Sequence, residues 1–200
     1  MREGDEVKII LGSSSPRRKE LFLNLGIPFE VKVSEKEEST EFSINPETTV
    51  MSLAHQKATE IKEKLETREV ILITADTIVA LENNLLGKPK SKEEAFDMLK
   101  SLSGREHRVL TGFCVWNLDT DEKLVEYVET KVEFKTLSDE MINNYIETKE
   151  PMDKAGAYGI QGYGSLLIKE IKGDYFNVVG LPISRLYEIL KEKFDLKLSI

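Results

Sequence analysis

The run Val70-Ile71-Leu72-Ile73-Thr74 is apolar without alternation, and it constrains the fold more than any other segment. A strand with one wet face alternates apolar and polar residues. A continuous apolar run belongs to a strand covered on both faces, as in an α/β sheet. Elements that could cover it flank it on both sides. Val7-Lys8-Ile9-Ile10 reads as a buried strand, followed by a helix that Pro16 opens, Ser15 caps and Gly26 ends. Phe29-Glu30-Val31-Lys32-Val33 alternates like a half-buried strand, and an acidic polar loop runs from Ser34 to Ser43. Asn45-Pro46-Glu47 caps a long helix to about Leu65, with Val50, Leu53, Ala54, Lys57, Ala58 and Ile61 along one side.

Beyond the apolar run, Ile78–Leu81 and Leu85-Leu86 flank Asn83-Asn84, which reads as a hairpin turn. Ser91-Lys92-Glu93-Glu94 is a capping box for a helix ending near Gly104. Two long strands are predicted over Arg108–Leu118 and Lys123–Phe134, then a helix from Ser138 to about Thr148. Lys154–Gly164 is glycine-rich and loop-like. Leu166–Ile171 and Tyr175–Val179 are predicted to form a last hairpin around Gly173-Asp174, and Pro182 starts the terminal helix. The result is a mixed α/β protein with a long, partly antiparallel central sheet, flanking helices and two lobes around a cleft. With no repeat or flexible linker, residues 1–200 read as one domain.

Charge narrows the function. A net charge of -8 argues against binding a nucleic acid polymer or an anionic membrane surface, so basic residues that matter should be local. No apolar stretch approaches the roughly 18 residues that span a bilayer, and Met1-Arg2-Glu3-Gly4 does not open a signal peptide. The single Cys114 lies in an apolar run, which excludes a disulfide framework and suits a reducing cytoplasm.

The local basic residues stand at Ser13-Ser14-Ser15-Pro16-Arg17-Arg18-Lys19. Cations in a first helical turn oppose the helix dipole, where a purely stabilising choice would be Asp or Glu. Hydroxyls, free N–H groups and cations at one helix start make a phosphate site; the alternative is a capped surface helix whose arginines point into water. Asp76, after the apolar run, reads as a metal ligand or general base, or else as a turn cap. Lys88 is held between Gly87 and Pro89 and suits a phosphate, or is a solvated hairpin lysine. Lys57 falls at apolar-face spacing and must snorkel to water or meet an anion. Glu35-Lys36-Glu37-Glu38 is a solvated charge run, or supplies a carboxylate to a divalent ion. In the glycine-rich segment, Gln161 carries a donor and an acceptor that can pair with the edge of a base, although a tight connection alone explains the glycines. His55 and His107 lack metal-ligand spacing and read as structural or surface residues.

Taken together, these segments closely resemble the Maf family of nucleotide pyrophosphatases. The resemblance is carried by Gly12–Arg18, Glu37-Glu38, Leu53–Ala58, Ala75-Asp76-Thr77, Gly87-Lys88-Pro89, Leu102–Arg105, Lys154–Gly162 and Gly173–Pro182. Ser14 departs from it, standing where Gly is common. The resemblance implies hydrolysis of nucleoside triphosphates to monophosphate and pyrophosphate with Mg²⁺ or Mn²⁺, in a fold similar to inosine triphosphate pyrophosphatases. It matches Asp76 to the proton acceptor and Arg17, Thr77 and Gln161 to specificity positions. Ser13, Arg18, Glu38, Lys57 and Lys88 match other polar cleft positions, with Glu38 and Asp76 toward the metal. Lys-Ala-Gly-Ala-Tyr-Gly-Ile-Gln-Gly looks like the subgroup acting on dTTP and UTP rather than on 7-methyl-GTP. A homodimer is implied at family level. The rival expectation is a nucleotide-binding regulator of cell division without turnover.

Overall fold

The computed structural model describes residues 7–35 and 45–196. Its frame is a mixed sheet of seven strands in the order β2-β1-β3-β5-β6-β7, with β4 also paired to β3. The apolar run lies at its centre, in β3 (Val70–Leu81). β1 (Lys8–Gly12) runs parallel to β3, as does the short edge strand β2 (Glu30–Val31) to β1. β5 (Glu106–Asn117), β6 (Lys123–Phe134) and β7 (Ile168–Lys172) continue antiparallel on the other side. β4 (Asn84–Leu86) folds back on the end of β3.

Side-chain alternation along β3 assigns its two faces. Val70 and Leu72 meet Ala58 and Ile61 of α2 (Pro46–Glu63) and Leu65 just after it, and Ile78 and Ala80 meet Val50 and Leu53 of the same helix. Helix α2 therefore lies along one whole face. Its approach is close: a Cβ on Gly112 of β5 would sit 2.4 Å from the Val50 carbonyl oxygen. The opposite face is covered in two blocks. Ile71, Ile73 and Ala75 pack with α1 (Pro16–Leu23) and α6 (Ile183–Glu192). Val79 and Leu81 pack with α3 (Lys92–Leu102) and α4 (Asp139–Glu147). Thr77 falls between the blocks, and the cleft opens there.

Several expectations need correction. β3 does not end near Thr74; it continues through Asp76 and Thr77 into the segment expected to start a separate strand. Thr74 donates to the Ala54 carbonyl oxygen of α2 at 2.7 Å, so a buried hydroxyl in mid-strand is satisfied by a tertiary partner. The hairpin turn falls at Glu82-Asn83, one residue early, because Asn84 pairs with Leu81. Helix α1 stops at Leu23, before Gly26. Phe29–Val33 yields a strand of two exposed residues, since Phe29 turns away to meet the Phe22 ring edge-on at 4.8 Å. Ser91 caps α3, but the Glu94 carboxylate accepts from Lys90 N–H rather than closing the box on Ser91. Tyr175–Val179 is a helix, α5, not a strand. Asp174 caps it by accepting from Phe176 N–H at 2.7 Å, and five residues carry too little periodicity to separate helix from strand.

The histidines and the cysteine are structural, as expected. His55 stacks on Trp116 and His107 is buried against Phe134 and Tyr158. Cys114 is buried, and burial pushes its thiol up to about 12, too high for a nucleophile at neutral pH.

Candidate active site

The site lies at a break in the edge of β3. β5 pairs with β3 from Ile71 to Ala80, which places β1 and β4 together on the other edge. β1 leaves after Gly12, opposite Thr74, and β4 joins only at Val79. Among the described residues no strand pairs with Ala75–Ile78 on that edge. Ligands in open α/β sheets occupy such places, where neighbouring strands part. Here the Ser13–Ser15 loop and the start of α1 enter from one side and Gly87-Lys88 from the other. The cleft measures about 550 Å³, a size suited to a nucleotide.

Asp76 and Lys57 form an ion pair across this break, between β3 and α2. Thr74 and Asp76 are two residues apart on the strand, while Ala54 and Lys57 are three apart on the helix, so both pairs meet on one face. Each partner of the ion pair keeps about a fifth of its side chain exposed, 17% for Lys57 and 20% for Asp76, so both still border the cleft.

Arg18 is held differently. Its Nε donates to the Gly180 carbonyl oxygen at 2.7 Å, Nη2 to Thr77 Oγ1 at 2.9 Å and Nη1 to Ser13 Oγ at 3.4 Å. All three acceptors are neutral, so the guanidinium is fixed in place without its charge being cancelled. Burial lowers its pKa; the charge of Asp76 opposes that shift and Arg17 adds to it. An arginine stays protonated through such a shift. By contrast Arg108 is tied to Glu47 and Glu129, and Arg185 to Glu126 and Glu188. Among the described residues Arg17 and Lys88 border the cleft and pair with no carboxylate at salt-bridge distance.

Behind Arg18 runs a hydroxyl chain. Thr111 Oγ1 donates to the Asn177 carbonyl oxygen at 2.9 Å, so it receives the proton of Thr77 Oγ1, also 2.9 Å away. The Asn177 side-chain amide donates to the Val109 carbonyl oxygen and to Thr130 Oγ1, both at 3.0 Å. Thr77 is thereby a support for Arg18, its hydroxyl turned toward protein.

Gln161 is exposed on the cleft rim, in a loop of tight turns. The structure thus brings together Ser13, Arg17, Arg18, Lys57, Asp76, Thr77, Lys88 and Gln161. Glu38 lies outside the described residues. Sequence reasoning assigned no role to Glu150, which borders the same cleft and gathers the glycine loop. Its signal was faint: one acid among several, before Pro151, that proves to face the loop glycines.

Among the described residues no group of three or more His, Cys, Asp or Glu forms a metal cage. Mg²⁺ does not need one, because it is commonly held by one or two carboxylates together with substrate phosphates. Lys57 contacts Asp76 Oδ1, and the second carboxylate oxygen is a hard donor at the cleft.

The profile of the Maf-like protein family matches residues 8–193. A dTTP/UTP pyrophosphatase of Alkaliphilus oremlandii is 53% identical over 191 residues, 96% of this chain and 98% of the relative. The dTTP/UTP pyrophosphatase of Clostridioides difficile is 50% identical over 192 residues, 96% and 98% of the two chains. That of Thermoanaerobacter pseudethanolicus is 52% identical over 192 residues, covering 96% of this chain and all of the relative. With nearly the whole chain matched at such identity, this protein belongs to the Maf-like family.

Proposed function

We propose that this chain is a nucleoside triphosphate pyrophosphatase that cleaves dTTP and UTP to the monophosphate and pyrophosphate. One observation carries the reading: the Asp76–Lys57 pair shares one cleft with the cations of α1 and Lys88, at a stretch of sheet edge unpaired among the described residues. Relatives at about half identity bear that activity in their names. A triphosphate brings several negative charges. Arg17, Arg18, Lys57 and Lys88 offset them inside a protein of net charge -8, and the helix start adds N–H groups. Asp76, at its position beside the phosphates, takes a proton from the attacking water. The water oxygen bonds to the α-phosphorus as the bond to the bridging oxygen breaks, and pyrophosphate leaves with that electron pair. Lys57 holds Asp76 oriented until the phosphates arrive. Asp76 and Glu38 would hold a Mg²⁺ or Mn²⁺, which would neutralise phosphate charge and orient the water. Catalysis is mostly positioning and electrostatics.

Gln161 reads the base. Its amide N–H suits a carbonyl of uracil or thymine, and its oxygen suits the ring N3–H. Cytosine presents an amino group and an unprotonated N3, so it mismatches both. The chain is further read as one domain acting as a cytoplasmic homodimer. The test is a panel of common and modified triphosphates with Mg²⁺ and purified protein, read as pyrophosphate release. Release from dTTP and UTP well ahead of CTP supports the reading. Binding without release would favour a regulator, and preference for 7-methyl-GTP would overturn the substrate assignment.

A further inference from the structure

The loop that presents Gln161 closes on itself. A Cβ on Gly164 would fall 2.0 Å from the Gly159 carbonyl oxygen, so only hydrogen fits where the two limbs cross. Gln161 stands at the tip between them. Glu150 and Tyr145 bind both limbs. The Tyr145 hydroxyl accepts from Gly159 N–H at 3.2 Å and donates to Glu150 Oε1 at 2.9 Å. Glu150 Oε1 also accepts from Gly164 N–H, and Oε2 from Tyr163 N–H, both at 3.0 Å. Burial pushes the Tyr145 hydroxyl well above its ordinary value, so it remains a donor. A Cβ on Gly162 would meet Glu150 Oε2 at 2.6 Å, which shows how closely the loop is drawn over this carboxylate. Neither residue has a place in the phosphate chemistry, and neither touches the base in the reading above.

We infer that Glu150 and Tyr145 are specificity-positioning residues: a carboxylate–phenol clamp that fixes the loop so that Gln161 meets the pyrimidine edge in one orientation. The inference rests on Gln161 reading the base. A single carboxylate accepting three hydrogens is well suited to this, because it imposes no donor of its own. An amide in its place must turn an NH₂ group toward at least one of the three donors, opening a limb of the loop. Specificity built on hydrogen bonds is sensitive to such slack, because misplacing the amide removes the penalty on the wrong base.

The experiment compares Glu150→Gln, Tyr145→Phe, Gln161→Ala and the unaltered chain on dTTP, UTP and CTP, with thermal unfolding and inhibition by pyrophosphate measured alongside. Tyr145→Phe keeps the buried ring and reads the clamp even if Glu150→Gln lowers stability. The expected result for either clamp variant is a dTTP-to-CTP ratio of kcat/KM reduced at least about fivefold, through KM for dTTP more than kcat. Inhibition by pyrophosphate, which reports the phosphate end, should shift less than about twofold. Loss of stability alone would leave the ratio intact. If Gln161→Ala lowers the ratio while both folded clamp variants retain it, the clamp is refuted and the base reading stands. If Gln161→Ala retains the full ratio, the base reading itself fails, and the clamp with it.

Discussion

Lys57 of α2 and Asp76 of β3 form an ion pair on the stretch of β3 that, among the described residues, has a strand partner on one edge only. One turn before Lys57, the Ala54 carbonyl accepts from Thr74, so helix and strand are locked in register where the charges meet. A carboxylate proposed as a general base gains from this arrangement. Its position is set by secondary structure rather than by a loop, while the break in the sheet lets substrate reach it.

From this follows the effect of Asp76→Asn. The amide keeps the shape but cannot take a proton from water. Turnover should fall by about 10²- to 10⁴-fold, the usual worth of a general base, with nucleotide binding still measurable by calorimetry. A folded Asp76→Asn protein with less than about a tenfold loss would remove Asp76 from the mechanism.

Adjacent arginines should behave differently. Arg18→Ala removes the donor that meets Gly180 O, Thr77 Oγ1 and Ser13 Oγ and should destabilise the fold by about 1–3 kcal/mol as well as weakening substrate binding. Arg17→Ala removes a cation from the first turn of α1, where the dipole disfavours it, and stability should hold or rise by up to about 1 kcal/mol. Its KM for triphosphate should still increase. Unfolding curves and steady-state kinetics on both variants decide, and equal stability losses would contradict the assignment.

Acid should act through His107. Burial lowers its pKa to about 4 in the folded protein, from an ordinary 6.5. The unfolded chain then binds more protons, so this stability is fully present above about pH 6.5 and is lost as pH falls from there toward 4. The slope is at most about 1.4 kcal/mol per pH unit for one group. His107→Gln should flatten the fall in urea midpoint between pH 7 and pH 5 relative to the unaltered chain. A parallel fall in both proteins would show that His107 is not the titrating group.

Much of this was legible in residue order. The capped start of α1, the bounds of β6 and the apolar centre of the sheet follow from caps and periodicity that are local to each segment. What stayed hidden depends on partners far along the chain. Thr74 reads as the end of a strand, and Asp76 as a turn cap or a functional acid, until α2 supplies Ala54 and Lys57. Asn177 makes Tyr175–Val179 a helix's buried face rather than a strand by reaching Val109 and Thr130. Arg17 and Arg18 look equivalent in sequence, and only the approach of Gly180 separates them. The role of Glu150 depends on the loop closing over it, which no local pattern announces.

In the proposed reaction water attacks the α-phosphorus of dTTP beside Asp76. Hydrolysis in heavy-oxygen water tests it directly, with products resolved by mass spectrometry. The label should appear in dTMP, with pyrophosphate unlabelled. Label in pyrophosphate, or dTDP and orthophosphate as products, would contradict the account.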